Sequence, residues 1–254
     1  MSDDTPSDGL RIVLVRPKSS ENVGAAARAM KNFGLSELVL VAPRCRIDKS
    51  ARALASHAGD VLDRATVASD LGEALRGVRW AVGTSARPRA SETVRDHEPD
   101  EGLATLPETG GALVFGPEDH GLANEELDRC QALVRIPTAA YASINLAQAV
   151  NILAYRRFEL RRRGEAGPDL AEMADRDQVE RMYDDLVALW HLIGFTDARR
   201  EVPTLRLFRG LLDRAAPTPR EVAAFRGLIS QAAWAAKREP EQLPGRTEDA
   251  SGSR

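Results

Sequence analysis

The 254-residue sequence contains only two cysteines, Cys45 and Cys130, and neither sits in a C-x-x-C pair. This excludes a disulfide framework and a four-thiolate zinc site, and makes a reducing cytoplasm the expected compartment. Histidine is almost as scarce: His57, His97, His120 and His191 are scattered along the chain. Their spacing matches no H-x-x-x-H or H-x-E…C-x-x-C pattern, so no metal site is expected. No apolar run approaches the roughly 18–20 residues that cross a bilayer, and the opening stretch is acidic and polar instead of basic then apolar. Neither a membrane span nor a secretory signal is expected. An excess of positive charge is missing as well. With 35 Lys and Arg against 38 Asp and Glu the net charge is −3, which argues against coating nucleic acid by bulk charge but leaves room for a local basic face. The glycine-rich phosphate loops are absent too: KSSENVGAAA has a single glycine where G-x-G-x-x-G would lie, and no G-x-x-x-x-G-K-[ST] occurs. Ser143, in YASIN, lacks the G-x-S-x-G elbow, so a hydrolase triad with His120 and Asp119 would rest on residue types alone.

What the sequence does have is the composition of a folded globular chain, 43% hydrophobic and 29% charged. Short β-branched runs alternate with helical stretches. RIVLV (11–15) reads as a buried strand, NVGAAARAMKNFG (22–34) as a helix with its stop, and ELVLVAP (37–43) as a second strand. The pattern continues with a helix at 50–62, an edge-like ATVA (65–68), a short helix at 70–77 and strands RWAVGT (79–84) and GALVFG (111–116). A helix at 122–130, a strand ALVRIP (132–137) and a long helix at 144–163 complete it. Such alternation predicts an α/β fold, a mostly parallel sheet with helices on both faces, whose ligand loops follow the carboxyl ends of the strands. TSARPR (84–89), GPEDHG (116–121) and PTAAYASIN (137–145) are the loops that stand out there. The expected organisation is a disordered start (1–9), the α/β domain (10–163), a Gly/Pro/acidic linker (164–172), a small all-helical module (173–238) and a disordered tail (239–254). In the module Thr218, Pro219 and Glu221 form a helix-start signature.

The polar residues of interest fall at strand-to-helix junctions. Asn22 reads as the cap of the first helix, with Arg28 projecting farther along it; both also read as plain cap and surface residues. Glu118 is either a carboxylate that shapes its loop by accepting backbone N–H groups or a catalytic one. Asn145 can cap the long helix and leave the Ser143 hydroxyl to face the loop. The arginines at 156, 157 and 161–163, and those from Arg199 to Arg226, form either a nucleic-acid grip or solvated faces paired with acids.

Three segments, NVGAAARAMKNFG, LVFGPEDHGLANEELDRC and IPTAAYASINLAQAVNILAYRR, resemble in order and separation the three motifs of the SpoU/TrmH (SPOUT-class) RNA 2′-O-ribose methyltransferases. With GTSARPR and LRLFRGLLDRAAPTPREVAAFRGLI the similarity is greatest to the TrmJ branch, the tRNA (cytidine/uridine-32-2′-O)-methyltransferases. It runs from Leu10 to about Trp234. The resemblance implies a sheet whose C-terminal part is threaded into a trefoil knot, a homodimer, S-adenosylmethionine as cofactor and tRNA as substrate, with the helical module gripping the tRNA. It implies a cofactor pocket at Thr84, Ser85, Ala86, Gly116, Ile136, Ala142, Ser143 and Ile144, and functional roles for Asn22, Arg28, Glu118, Ser143 and Asn145, with Arg28 reaching the site from the partner subunit. Asp119 departs from the family, where a basic residue is common at that position. Other 2′-O-methylation sites in tRNA or ribosomal RNA, and a non-catalytic knotted RNA-binding protein, are the competing readings.

Overall fold

A computed structural model describes residues 8–86, 96–165, 167–168, 170 and 172–238. Within it seven parallel strands form one sheet in the order β3-β2-β1-β6-β4-β7-β5. They are β1 (Asp8–Val15), β2 (Leu35–Val41), β3 (Thr66–Ala68), β4 (Trp80–Thr84), β5 (Asp96–His97), β6 (Thr109–Phe115) and β7 (Ala132–Val134). The helices are α1 (Ser20–Asn32), α2 (Lys49–Ala55), α3 (Gly59–Asp63), α4 (Leu71–Ala74), α5 (Pro99–Leu103), α6 (Asn124–Leu127), α7 (Leu146–Arg162), α8 (Arg176–Ile193), α9 (Glu201–Ala215) and α10 (Pro219–Lys237).

The central strand shows why its sequence is an unbroken apolar run. Leu10, Ile12 and Leu14 enter the core shared with α1, α2 and α7, whereas Val13 and Val15 enter a second core on the other face. Both faces of a parallel sheet are covered, so both must be apolar. In the strand order β6 is inserted between β1 and β4, and this brings the carboxyl ends of β1, β6, β4 and β7 side by side. The loops leaving these ends converge where ligands usually bind in open α/β sheets.

Several boundaries differ from those the sequence predicts. β1 starts at Asp8, so the last two positions of the expected disordered start belong to the sheet. β2 ends at Val41 because Ala42 turns the chain with a φ of 40°. The helix expected over 50–62 is two helices: Ser56, at φ 53°, breaks it, and a single 3-10 turn (Ser56–Ala58) joins the pieces. β5 and α5 are too short to leave a periodic signature and are absent from the prediction. The other expected start and tail positions, 1–7 and 239–254, lie outside the described residues, as do 87–89 of TSARPR.

The C-terminal helices α8, α9 and α10 enclose a cluster of their own, built on Val179, Met182, Tyr183, Leu186, Trp190, Val222 and Ile229. Thr218 caps α10 and pairs reciprocally with Glu221, as the sequence signature requires. This cluster is tied to the sheet domain by hydrogen bonds from the Arg176 N–H to the Val78 carbonyl (2.7 Å) and from Arg206 to Asp128 (2.9 Å). The buried Arg176 also donates to Asp213 and Glu180, each at 2.8 Å.

Candidate active site

Glu118 follows β6 in the loop before α6, and its carboxylate reaches across to the β1–α1 loop. It accepts the backbone N–H groups of Lys18 (3.1 Å) and Ser19 (3.2 Å) and the side-chain amide of Asn22 (2.9 Å). Burial opposes ionisation, but the donors from Asn22, Glu118's own N–H, Lys18 and Ser19 together outweigh it and hold the carboxyl below its ordinary range. Thus Glu118 does shape a loop, and the loop it fixes belongs to a different strand.

Asn22 is not the cap of α1. Ser19 is: its side chain accepts the Asn22 N–H, and Asn22 lies in the first turn with its amide free to work elsewhere. The apolar run begins just after Asn22, which is why the pattern points one turn too late. The Asn22 Oδ1 accepts from Asn145 Nδ2 at 2.9 Å, while Asn145 Oδ1 caps α7 by accepting the Ala147 N–H at 2.9 Å. One continuous relay, Glu118–Asn22–Asn145–α7, therefore joins three loops separated by long stretches of sequence.

Beside this relay is a cleft of about 340 Å³. Thr84, Ser85 and Ala86 from the end of β4, Gly116 after β6, Ile136 after β7, and Ala142, Ser143 and Ile144 before α7 all line it. Two hydrogen bonds knit its floor together: the Thr84 hydroxyl donates to the Val114 carbonyl (3.1 Å) and the Ser85 N–H to the Val134 carbonyl (3.0 Å). Gly116 is required for packing, since a Cβ there would overlap the backbone of Gly121 and Leu122, and Gly121 itself needs φ 70°. Glu118, Asp119 and His120 also line the cleft, and among the described residues no lysine or arginine does. Lys18, by donating to Asp119, pulls its carboxyl down to about 2.

Arg28 does not line this cleft. It is exposed on α1 and borders a separate groove between α1 and α7, with Asn22, Asn145 and Gln148 on the same rim. Of the residues singled out in the sequence, Glu118 and Ser143 line the cleft, while Asn22 and Asn145, linked to Glu118 by hydrogen bonds, share the rim of the α1–α7 groove with the exposed Arg28. The sequence reading also missed Arg16. Placed after β1 with φ 48°, it grips Glu126 through both terminal guanidinium nitrogens, the longer contact being 3.0 Å. Glu126 in turn accepts the Ala123 N–H at 2.7 Å, so the cleft loop is held at its far end as well. An arginine ending an otherwise apolar strand was the available signal.

Among the described residues no group of His, Cys, Asp and Glu side chains could hold a metal ion, and no helix is long and apolar enough to cross a membrane. A parallel α/β sheet with a small-ligand cleft at its carboxyl edge defines the class of architecture, and similarity to known proteins places the chain within it. Residues 9–155 match the model of the SpoU rRNA Methylase family, so the chain belongs to the SpoU methylases. Within that class it is similar to the TrmJ proteins. It is 38% identical over 231 residues to the tRNA (cytidine/uridine-2′-O-)-methyltransferase TrmJ of Pectobacterium atrosepticum, covering 88% of this chain and 96% of that one. The figures for the TrmJ of Photorhabdus laumondii are 37% over 239 residues, 91% and 99%. The crystal structure of TrmJ from Z. mobilis ZM4 matches with a TM-score of 0.77 at 33% identity, covering 87% of this chain and 97% of that chain.

Proposed function

We propose that the protein is an S-adenosylmethionine-dependent tRNA 2′-O-ribose methyltransferase acting on cytidine or uridine 32 of the anticodon loop, in the cytoplasm and as a homodimer. The observation that carries this reading is the cleft. Its volume falls at the lower end of the range for small-ligand sites, and its walls of small residues at the strand ends suit an adenosine. The TrmJ names of the relatives support the tRNA substrate. The trefoil knot of the family would place the chain between β7 and α7 around the adenosine.

S-adenosylmethionine, when bound, supplies a methyl group on a good leaving group. The chain's own residues do the rest. A ribose hydroxyl is a poor nucleophile, so it must be held in line and lose its proton as the new O–C bond forms. Ser143, in the wall of the cleft, and Asn145, two residues on at the rim of the α1–α7 groove, would hold that hydroxyl, and the Glu118–Asn22 relay keeps Asn145 in position. Arg28 cannot serve as the base, because a guanidinium stays protonated in proteins. It acts instead as a two-pronged clamp on a neighbouring phosphate, and the proton leaves to water, phosphate or the Ser143/Asn145 pair. Since Arg28 faces away from the cleft of its own chain, the α1–α7 groove is the surface on which a second copy would exchange Arg28 residues with the first.

Calorimetry with S-adenosylmethionine, followed by transfer of labelled methyl to unmodified tRNA and to ribosomal RNA transcripts, tests the reading. Binding and label in tRNA are expected. Label in ribosomal RNA alone would overturn the substrate, and cofactor binding without label in any RNA would favour a non-catalytic RNA-binding protein.

A further inference from the structure

The segment PRCRIDK (43–49), from the end of β2 to the first residue of α2, is fastened beside the candidate site. The Arg44 N–H donates to the Pro17 carbonyl at 2.9 Å, and Asp48, which caps α2 through the Ala51 N–H at 3.0 Å, is also hydrogen-bonded to Ser20 at the start of α1. Side chains alternate along it: Cys45 and Ile47 pack against the core, so Arg44 and Arg46 face outward, and Lys49 is exposed after them.

None of these cations has an ion-pair partner among the described residues. The nearby acids are largely engaged, Asp48 in capping, Glu118 by its three donors and Asp119 by Lys18, while Glu21 is an exposed acid of this edge. Several arginines of the C-terminal module contrast with this, although Arg199, Arg214 and Arg220 are exposed with no ion pair among the described residues. Arg176, Arg200, Arg206, Arg209 and Arg226 each pair with an aspartate or glutamate of the chain itself. The charges of these paired arginines are matched within the chain, whereas those of Arg44, Arg46 and Lys49, like those of Arg199, Arg214 and Arg220, are available to a ligand.

We propose that Arg44, Arg46 and Lys49 form the surface that takes the RNA phosphates flanking the target nucleotide. The inference rests on the reading of the chain as an RNA methyltransferase and assigns part of its substrate grip to the sheet domain. Three extended cations beside the cleft suit a phosphate backbone, whose binding releases counterions and is therefore steeply salt-dependent.

The test compares the full chain with an Arg44→Ala/Arg46→Ala/Lys49→Ala variant, and with an Arg64→Ala/Arg76→Ala control that removes exposed, ion-paired arginines elsewhere. Binding of an unmodified tRNA transcript is measured over a series of salt concentrations, and S-adenosylmethionine binding by calorimetry. The triple variant should bind tRNA about 10–100-fold more weakly, with a salt slope shallower by about 2–3. Its affinity for S-adenosylmethionine should not change, and Arg44→Lys/Arg46→Lys/Lys49→Arg should keep the slope. An unchanged slope in the triple variant, or an equal loss in the control, would overturn the proposal. If the unmodified chain bound tRNA through these residues yet transferred no methyl group, the enzymatic reading would fail while the phosphate surface stood.

Discussion

Asn145 donates its side-chain amide to Asn22 at 2.9 Å, and Asn22 passes the interaction on to Glu118, also at 2.9 Å. Each asparagine thus serves two loops, and the Asn22 amide can donate to the carboxylate from its nitrogen while accepting from Asn145 at its oxygen. Asn22→Ala should lower methyl transfer about 10-fold, in keeping with the loss of hydrogen bonds worth about 1 kcal/mol each. Asn22→Asp would set a second carboxylate against Glu118 and should be the worse variant. Steady-state rates of the two variants measure this, and equal activity of Asn22→Asp and the unmodified chain would rule the relay out.

Glu118 makes the relay pH-dependent. Its folded carboxyl titrates below the ordinary value of 4.5, so its contribution to stability is complete above about pH 4.5 and is lost as pH falls through the depressed folded value. Glu118→Gln should therefore be less stable than the unmodified chain near neutrality, and the gap should close in acid. Chemical denaturation at a series of pH values reads this out; a gap that widened on acidification would contradict the assignment.

Arg16 and Glu126 fasten the far end of the same loop. Arg16→Ala leaves the Glu126 carboxylate without its bidentate partner and should weaken S-adenosylmethionine binding about 10-fold, with Arg16→Lys restoring part of it. Calorimetry on the two variants decides this. Identical affinities would show that the clamp has no part in shaping the cleft.

Arg28 and Asn145 offer a test of the shared site. If Arg28 acts on the partner's cleft, mixing Arg28→Ala chains with Asn145→Ala chains regenerates one intact site in each mixed dimer. Random exchange should then restore about a quarter of full activity from two inactive preparations. No recovery, despite proven subunit exchange, would place Arg28 in its own chain's site.

Much of this arrangement was legible in the sequence because it depends on local pattern. The apolar run of β1 revealed a strand buried on both faces, and the Thr218/Glu221 pair gave the start of α10. The lining residues of the cleft could be named from the motif resemblance, and the structure gathers all of them at one cavity. What stayed hidden depends on contacts remote in sequence. Nothing near Arg16 indicates that Glu126 will lie opposite it, and nothing near residues 199–226 shows which arginines acids elsewhere in the chain will neutralise. Ser19, not Asn22, caps α1 because several adjacent polar residues can all serve as caps, and the choice between them is made by Glu118 from another loop.

Mapping the methyl group tests the central claim most directly. Unmodified tRNA transcripts are incubated with the protein and labelled S-adenosylmethionine, then digested with nuclease and analysed by mass spectrometry. The expected result is a methyl group on the ribose 2′-oxygen of nucleotide 32, lost in Arg28→Ala. Methylation of a base, of another ribose, or of no tRNA nucleotide while the cofactor binds would contradict it.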